Sequence, residues 1–285
     1  MTALRKHQKL WAEFRIGAER MPELYFNVEG GGRFLIGRES EIGNQKGPRL
    51  KIAGETTRTY SAIGENITLA KRLALPHVDN LPLSGGPVAI CGPGPSLAAM
   101  LEVLGSERKR GVPIWALKGT WRYLAEHGLT PDAVVMMDAH PSQAAYAGNP
   151  APGMQWLLAS MMAPHTFNAL QGHDVVIWDA AEGKGVSVAV HAVLLAMSRG
   201  YSDIRLYGHD CSWDGEQSHL YELANKEAAA KQTAIDAVFA GRLYKTTKEM
   251  CVDAQAIARL ALSPGLARII PCGRGLLPDI FRGAG

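Results

Sequence analysis

The chain has 285 residues, 47% of them hydrophobic and 20% charged, which is enough to bury a sizeable core. Its formal net charge of +3 is small and no Lys/Arg run is long, which argues against a duplex-binding protein. No apolar stretch approaches the roughly 20 residues of a membrane helix, no signal peptide is evident, and the four cysteines form no Cys-x-x-Cys pair. We therefore expect a cytoplasmic protein without a disulfide framework or a zinc site, and with neither nucleic acid nor membrane as a partner.

Residues 1–83 are irregular in pattern and predict a small N-terminal α+β region. The stretch 80–86, rich in Pro, Gly and Ser, has the composition of a linker, so we place a domain boundary there. The elements predicted before it are a charged helix over about 2–20, a hairpin made of runs 24–28 and 33–36 around a glycine cluster, and a helix over about 63–75.

Residues 84–285 predict a second and larger domain, in which short apolar runs alternate with helical segments. Continuous apolar strands separated by helices indicate a mainly parallel sheet covered on both faces, that is, a Rossmann-like α/β fold. In such sheets ligands bind beyond the carboxyl ends of the strands. The predicted strands are 88–91, 114–118, 133–137, 156–160, 175–178, 204–207 and 268–270, and the predicted helices are about 96–105, 120–127, 187–199, 222–241 and 246–262.

The first predicted strand leads into a glycine loop, Gly92-Pro93-Gly94-Pro95-Ser96. Gly92 and Gly94 allow a tight turn and close approach of a ligand, and Pro95 suits the first position of a helix. The free N–H groups of that helix and the Ser96 hydroxyl then face a phosphate. The spacing matches neither G-x-G-x-x-G nor Walker A, and a purely structural glycine turn remains the alternative.

Two further strand ends carry charged side chains. Asp138, just after the strand 133–137, is suited to a ribose hydroxyl, a substrate amine or Mg²⁺, or to capping the next helix. Lys118 offers a charge that would offset a phosphate, although an ordinary surface position explains it as well. Between later strands, residues 183–190 hold small side chains that permit a helix to approach either a ligand or the sheet.

The richest strand end is Gly208-His209-Asp210, followed by a polar loop that reaches His219. Loops after strands that carry several titratable groups are disproportionately functional. Because the spacing matches no standard zinc ligand set, a general base or acid is the better interpretation, with His219 and Asp210 as the candidates.

These motifs occur in a fixed order: G-P-G-P-S-L, then H-G-L-T-P-D-A-V-V-M-M-D ending at Asp138, then G-Y-S-D-I-R-L-Y-G-H-D ending at Asp210. Together they resemble the MptE-like family, which includes archaeal 6-hydroxymethylpterin diphosphokinases and bacterial motility accessory factors that glycosylate flagellin. The glycine loop is also similar to that of bacterial sialyltransferases that use CMP-sialic acid. The resemblance covers about residues 85–275. His209, Pro93 and the ending Cys272-Gly273-Arg274-Gly275 depart from the family's pattern.

The resemblance implies nucleotide phosphates on the glycine loop, with Gly92, Gly94, Pro95, Ser96, Asp138 and Gly208 binding the nucleotide. It leaves three functions open. A glycosyltransferase would use a nucleotide-activated sugar, such as a CMP-nonulosonic acid, with His219 or Asp210 as base. A diphosphokinase would need Mg²⁺ with ATP, held by Asp138 and Asp210. A non-catalytic nucleotide-binding module is the third. A homo-oligomer is compatible with all three. Glycosyl transfer is favoured, since no lysine lies in or beside the glycine loop.

Overall fold

Two β-sheets organise the protein, and helices pack around and between them. The structure is a computed structural model, and it describes residues 9–17, 22–29, 33–36, 59–180, 187–221, 233–262 and 267–284. The strands are β1 (Leu10–Ile16), β2 (Pro22–Val28), β3 (Arg33–Ile36), β4 (Pro87–Cys91), β5 (Ile114–Leu117), β6 (Ala133–Met136), β7 (Gln155–Ala159), β8 (Asp174–Trp178), β9 (Asp203–Tyr207), β10 (Ile235–Phe239), β11 (Arg242–Thr246) and β12 (Arg268–Cys272).

The α-helices pack on these sheets in the manner of an α/β protein. They are α1 (Tyr60–Arg72), α2 (Leu101–Lys109), α3 (Thr120–Glu126), α4 (Pro164–Ala169), α5 (Val188–Ser198), α6 (Lys248–Leu262) and α7 (Leu276–Ala284). Short 3₁₀ turns cover Val78–Asn80, Pro95–Met100 and Pro141–Ala147.

The seven-stranded sheet is parallel throughout and has the order β12-β9-β4-β5-β6-β7-β8. The chain runs outward from β4 to β8 and then returns to place β9 on the other side of β4. The strand order therefore reverses between β4 and β9, which is where open α/β sheets form their ligand crevice. The Rossmann-like α/β fold predicted from the sequence is confirmed, and each predicted strand of this sheet lies within two residues of its observed position.

The five-stranded sheet has the order β11-β10-β1-β2-β3 and joins distant parts of the chain. Strand β1 pairs in parallel with β10, while β2 pairs with β1 and β3 in antiparallel fashion. The predicted hairpin of β2 and β3 is thus confirmed. This sheet draws strands from both sides of residue 83, and the placement of a domain boundary there stays a prediction.

Two predicted helices are wrong over their described parts. The helix expected at about 2–20 is strand β1 from Leu10 to Ile16, because Ala12 and Phe14 alternate with more exposed neighbours and bury one face only. The helix expected at 222–241 is strand β10 over Ile235–Phe239, and residues 222–232 lie outside the described ranges. Both strands pair with a neighbour close along the chain, β1 with β2 and β10 with β11, and also with each other. This pairing overrides a local composition that favours a helix.

Helix α6 connects the two sheets, since it contacts β2 of the five-stranded sheet and β12 of the seven-stranded sheet. Helix α7 similarly contacts β10 and β12. The buried faces of these helices are apolar, with Ile257 of α6 and Leu277 and Ile280 of α7 fully buried. Burial of such side chains stabilises the fold by about 1.5–3 kcal/mol each.

The predicted linker at 80–86 is held against the parallel sheet. The buried Arg199, just after α5, donates hydrogen bonds to the carbonyl oxygens of Val78, Leu81 and Pro82. One residue before this stretch of bound carbonyls, His77 forms a parallel bridge with Ile177 of β8. The bridge at His77 therefore adds to the edge of the sheet beside β8, and the buried guanidinium of Arg199 fixes the segment that follows it.

Candidate active site

The loops after β4 and β9 are in backbone contact where the strand order reverses. A Cβ added to Gly92 would lie 2.7 Å from the Gly208 carbonyl oxygen, and one added to Gly94 would lie 2.5 Å from it. Gly208 has a positive φ of 65°, and a Cβ there would lie 2.5 Å from the Gly92 carbonyl oxygen. The three glycines are needed because two main chains touch. This is the purely structural role that the sequence left open for the glycine turn.

The donors of the glycine loop are bound within the protein. Gly92 N–H donates to the Tyr207 carbonyl oxygen and Gly94 N–H to that of Gly208, each at 2.8 Å. Ser96 donates its N–H to Asp210 Oδ2 at 2.7 Å and its hydroxyl to Asp210 Oδ1. A carboxylate thus occupies the position at Ser96 where the sequence predicts a phosphate.

Asp210 is buried, with 5% of its surface exposed, and is enclosed by a third loop. Burial raises the pKa of the Asp210 carboxyl, while the hydrogen bonds from Ser96 lower it. The main chain at Gly273 and Gly275 follows β12 with φ of 97° and 122°, and added Cβ atoms would lie within 2.7 Å of Ser96 Oγ and 2.6 Å of the Asp210 carbonyl oxygen. The segment from Cys272 to Gly275, which departs from the family's pattern, therefore packs against the Ser96–Asp210 pair.

A cleft of about 300 Å³ opens beside this junction, at the carboxyl ends of β4, β5, β6 and β9. It is lined by Pro93 and Gly94, by the loops after the other strands and by the start of α6. Among the described residues that line it, the titratable ones are Lys118, Asp138, Tyr146, His209, Asp210, Cys211, His219, Tyr221, Glu249 and Asp253. Such a cleft is large enough for part of a nucleotide-sized ligand.

Lys118 is brought into the same cleft as the glycine loop by the pairing of β4 with β5. Its backbone has a positive φ of 48°, and its Nζ lies 3.9 Å from Asp138 Oδ2. Burial lowers the pKa of Lys118, and Asp138 opposes that effect. Asp138 accepts hydrogen bonds from His140 N–H and from Gln143 Nε2, both at 2.9 Å. No lysine is adjacent to the glycine loop in the sequence, but Lys118 lines the same cleft as this loop in the folded protein.

His219 lines the cleft between the glycine loop and β5. The next residue, Leu220, donates its N–H to the Pro93 carbonyl oxygen at 2.8 Å, and the hydroxyl of Tyr221 donates to the Leu117 carbonyl oxygen at 3.5 Å. Ser218 Oγ lies 2.9 Å from His219 Nδ1. Burial and then the charge of Lys118 lower the pKa of His219 to about 4, so its imidazole is neutral at pH 7.

His209, between the two loops that meet, is 6% exposed. Its Nδ1 lies 3.1 Å from the Tyr207 carbonyl oxygen, so Nδ1 carries the proton in the tautomer that makes this bond. Nε2 is buried and has no hydrogen-bond partner among the described residues. Burial lowers the pKa of His209 to about 4.

The part of the cleft that comes from the beginning of α6 is acidic. Asp253 Oδ1 accepts a hydrogen bond at 3.2 Å from the N–H of Ser187, which is the N-cap of α5. Burial raises the pKa of Asp253 to about 6. Glu249 lies one turn earlier on α6 and lines the same cleft. No sequence motif indicated Asp253 or Glu249, because α6 reaches the cleft only through tertiary packing.

The structure brings the predicted site residues Gly94, Asp138, Gly208, Asp210 and His219 to one cleft. Gly92, Pro95 and Ser96 lie in the loop beside it and do not line it. Residues 183–186 fall outside the described ranges. The roles assigned to these residues stay predictions.

A magnesium ion is required by the diphosphokinase alternative, with Asp138 and Asp210 as its ligands. Both Asp210 oxygens already accept hydrogen bonds from Ser96, and within the described ranges no group of three or more His, Cys, Asp or Glu side chains is arranged around a common point. Both carboxylates are thus engaged within the protein, the assignment of a magnesium ion to them stays a prediction, and we derive no step through one.

Comparison with known proteins identifies a family and a solved structure of related fold. The family model described as 6-hydroxymethylpterin diphosphokinase MptE-like matches residues 62–216. The solved structure of a MAf glycosyltransferase from Magnetospirillum magneticum AMB-1 is 15% identical, with a TM-score of 0.55, and the match covers 79% of this chain and 40% of that one. The chain thus corresponds to less than half of that protein's length. No curated protein sequence matches. None of the helices within the described ranges combines the length and apolar character of a membrane span.

Proposed function

Because the chain belongs to the MptE-like family, whose model matches more than half of it, we propose that it is a nucleotide-dependent group transferase that transfers a sugar. The observation that carries the proposal is a neutral imidazole, His219, in a cleft where the strand order reverses. The donor proposed is a nucleotide-activated sugar of the CMP-nonulosonic acid type, and the acceptor is a hydroxyl group.

His219 is the proposed general base. In the tautomer that carries its proton on Nδ1, that N–H donates to Ser218 Oγ, and Nε2 is left as a proton acceptor. The acceptor oxygen would attack the anomeric carbon and form the new C–O bond, while the hydroxyl proton moves to Nε2. The bond from that carbon to the donor phosphate breaks, and its electron pair leaves with the phosphate. A direct displacement of this kind inverts the sugar configuration.

Asp210 has a different role in this proposal from that of His219. Its carboxylate is bound through both oxygens by Ser96, so it holds the loops after β4 and β9 together. Since Leu220 is anchored on Pro93 of the same loop, this junction also positions His219. Asp210 is therefore proposed as a positioning residue, which revises the sequence-based assignment of a catalytic base.

A thermal-shift panel of CMP, UDP, GDP, ADP and ATP, each with and without Mg²⁺, tests the proposal. A ligand that binds the folded state raises the melting temperature by mass action. We expect a shift with CMP that does not require Mg²⁺. A shift that requires both ATP and Mg²⁺ would instead support the diphosphokinase named in the family's description. The absence of any shift would favour a module without nucleotide-dependent activity.

His219→Ala tests the base directly once a donor is identified. General base catalysis contributes about 10²–10⁴-fold, so kcat should fall by that factor while the Kd for the nucleotide stays nearly constant. His173→Ala is the matched control, since His173 is exposed and outside the cleft. A His219→Ala protein with normal kcat and a lowered melting temperature would show a structural role only, and Asp210 or Asp253 would then be tested as the base.

A further inference from the structure

We infer that the phosphate of the substrate binds to Lys118 at the carboxyl end of β5, and not to the backbone donors of the glycine loop. The inference rests on the proposed function for the identity of the phosphate ester. Its geometric basis is independent of that function, because it concerns which donors in the cleft are bound and which are available.

The hydrogen-bond donors of Gly92, Gly94 and Ser96 in the glycine loop are all engaged within the protein. Each of these N–H groups donates to another part of the chain at 2.7–2.8 Å, and the Ser96 hydroxyl donates to Asp210. The space beyond Gly92 and Gly94, which a ligand phosphate would need, is filled by Gly208, His209 and Asp210. A phosphate at this loop would have to separate the loops after β4 and β9.

Lys118 meets the opposite conditions. It is the only Lys or Arg among the described residues that line the cleft, and its side chain is 25% exposed. Its ion pair with Asp138 is long, at 3.9 Å, and no hydrogen bond joins its Nζ to any residue of the described ranges. Asp138 is itself bound by His140 and Gln143. An ammonium placed in this way retains its donors for an anion.

The backbone at Lys118 supports a functional role. A non-glycine residue with positive φ is uncommon and is strained relative to glycine, and strain of this kind is concentrated at ligand sites. Its N–H is fixed by a 3.0 Å bond to the Val135 carbonyl oxygen, so the strained backbone is held in place while the side chain lines the cleft.

The same arrangement couples phosphate binding to the base. The charge of Lys118 helps to keep the pKa of His219 at about 4, which is too low for the most effective general base at neutral pH. A phosphate on Lys118 would offset that charge and raise the pKa of His219. The other charged groups facing the pair are Asp138 after β6, Asp210 after β9, and Glu249 and Asp253 on α6.

Isothermal titration calorimetry of the full chain with inorganic phosphate and with pyrophosphate measures their affinities. It tests the site without any assumption about the nucleotide. Lys118→Met should weaken binding by about 10–100-fold, the usual effect of losing a charged hydrogen-bond donor. Lys118→Arg should retain most of it. Lys109→Met, at an exposed lysine at the end of α2, is the matched control and should bind as the wild type does.

Lys118→Gly separates a ligand role from a structural one. Because glycine removes the strain at positive φ, this variant should melt at an equal or higher temperature and yet lose phosphate binding. The pKa of His219 can be measured from its ring proton NMR signals, which a His219→Gln variant assigns. This pKa should rise in Lys118→Met. It should also rise when the wild type is saturated with phosphate.

The inference would be overturned if a folded Lys118→Met protein bound phosphate as tightly as the wild type. It would also be overturned if Ser96→Ala lost phosphate affinity while Lys118→Met retained it. Acetate binding equal to that of phosphate would also overturn it, since the site would then select a carboxylate as readily. Phosphate binding at Lys118 without a shift by any nucleotide would sustain this site and contradict the proposed function instead.

Discussion

The two sheets of this protein differ in how their strands are buried. In the parallel sheet, β5 and β6 are buried at every residue, whereas β1 and β10 of the mixed sheet alternate between buried and more exposed residues. The strands of the parallel sheet end in a cleft that holds buried polar groups. The mixed sheet has an apolar inner face of residues such as Phe14, Phe26 and Phe239, packed near α6 and α7.

This difference separates the part of the molecule that holds the candidate site from the part that supports it. The buried titratable side chains His209 and Asp210 stand at the end of a parallel strand. The mixed sheet contributes to the site indirectly, since α6 packs on β2 and begins at the cleft with Glu249 and Asp253. Stability and chemistry are thus expected to respond differently to changes in the two sheets.

The largest effect is expected from Phe26→Ala in the mixed sheet. Phe26 is fully buried, and truncating such a side chain typically lowers the free energy of unfolding by about 3–5 kcal/mol. Since α6 and α7 connect the sheets, urea unfolding should remain a single transition at a lower midpoint. The phosphate affinity of the folded variant should not change. Two separate transitions would show that the sheets unfold independently.

A smaller effect is expected from His209→Asn in the parallel sheet. His209 has a pKa of about 4 in the folded protein against about 6.5 when unfolded, so between these values the unfolded state binds the extra proton. Its contribution to stability is full above about pH 6.5 and is lost as the pH falls to about 4, by at most about 3 kcal/mol. Asparagine keeps a donor near the position of Nδ1 and should flatten this loss.

Urea denaturation of wild type and His209→Asn at several pH values between 4 and 7 measures the difference. Phe26→Ala serves as the control, because its stability should be lower at all pH values with the same pH dependence as the wild type. Parallel stability curves for His209→Asn and wild type would mean that His209 is not the group responsible.

The smallest effect is a contrast between two glycines with positive φ, Gly208 after β9 and Gly241 between β10 and β11. Alanine at either position incurs backbone strain, but only at Gly208 would its Cβ meet a main-chain atom, the Gly92 carbonyl oxygen at 2.5 Å. At Gly241 nothing lies within 4 Å. Gly208→Ala should therefore lower the free energy of unfolding by about 1–3 kcal/mol more than Gly241→Ala. Equal melting temperatures would show that the loops after β4 and β9 can separate without cost.

The parallel sheet and the family could be predicted from the sequence because their signals are local. Each strand from β4 to β8 contains an apolar run of at least four residues, and Ser96, Asp138 and Asp210 stand in the loops that follow individual strands. A buried strand and the turn that ends it depend on neighbours along the chain, so a sequence read in order reveals both.

The mixed sheet and the arrangement of the cleft were decided only in three dimensions. Strand β1 pairs with the nearby β2 on one side and with β10, more than two hundred residues away, on the other, and no local pattern contains the second pairing. In the same way, Asp210 occupies the Ser96 donors and Lys118 acts on His219 because β4 has β9 on one side and β5 on the other. Local sequence determines which groups stand at the strand ends, and strand order determines which of them meet, because that order depends on long-range packing.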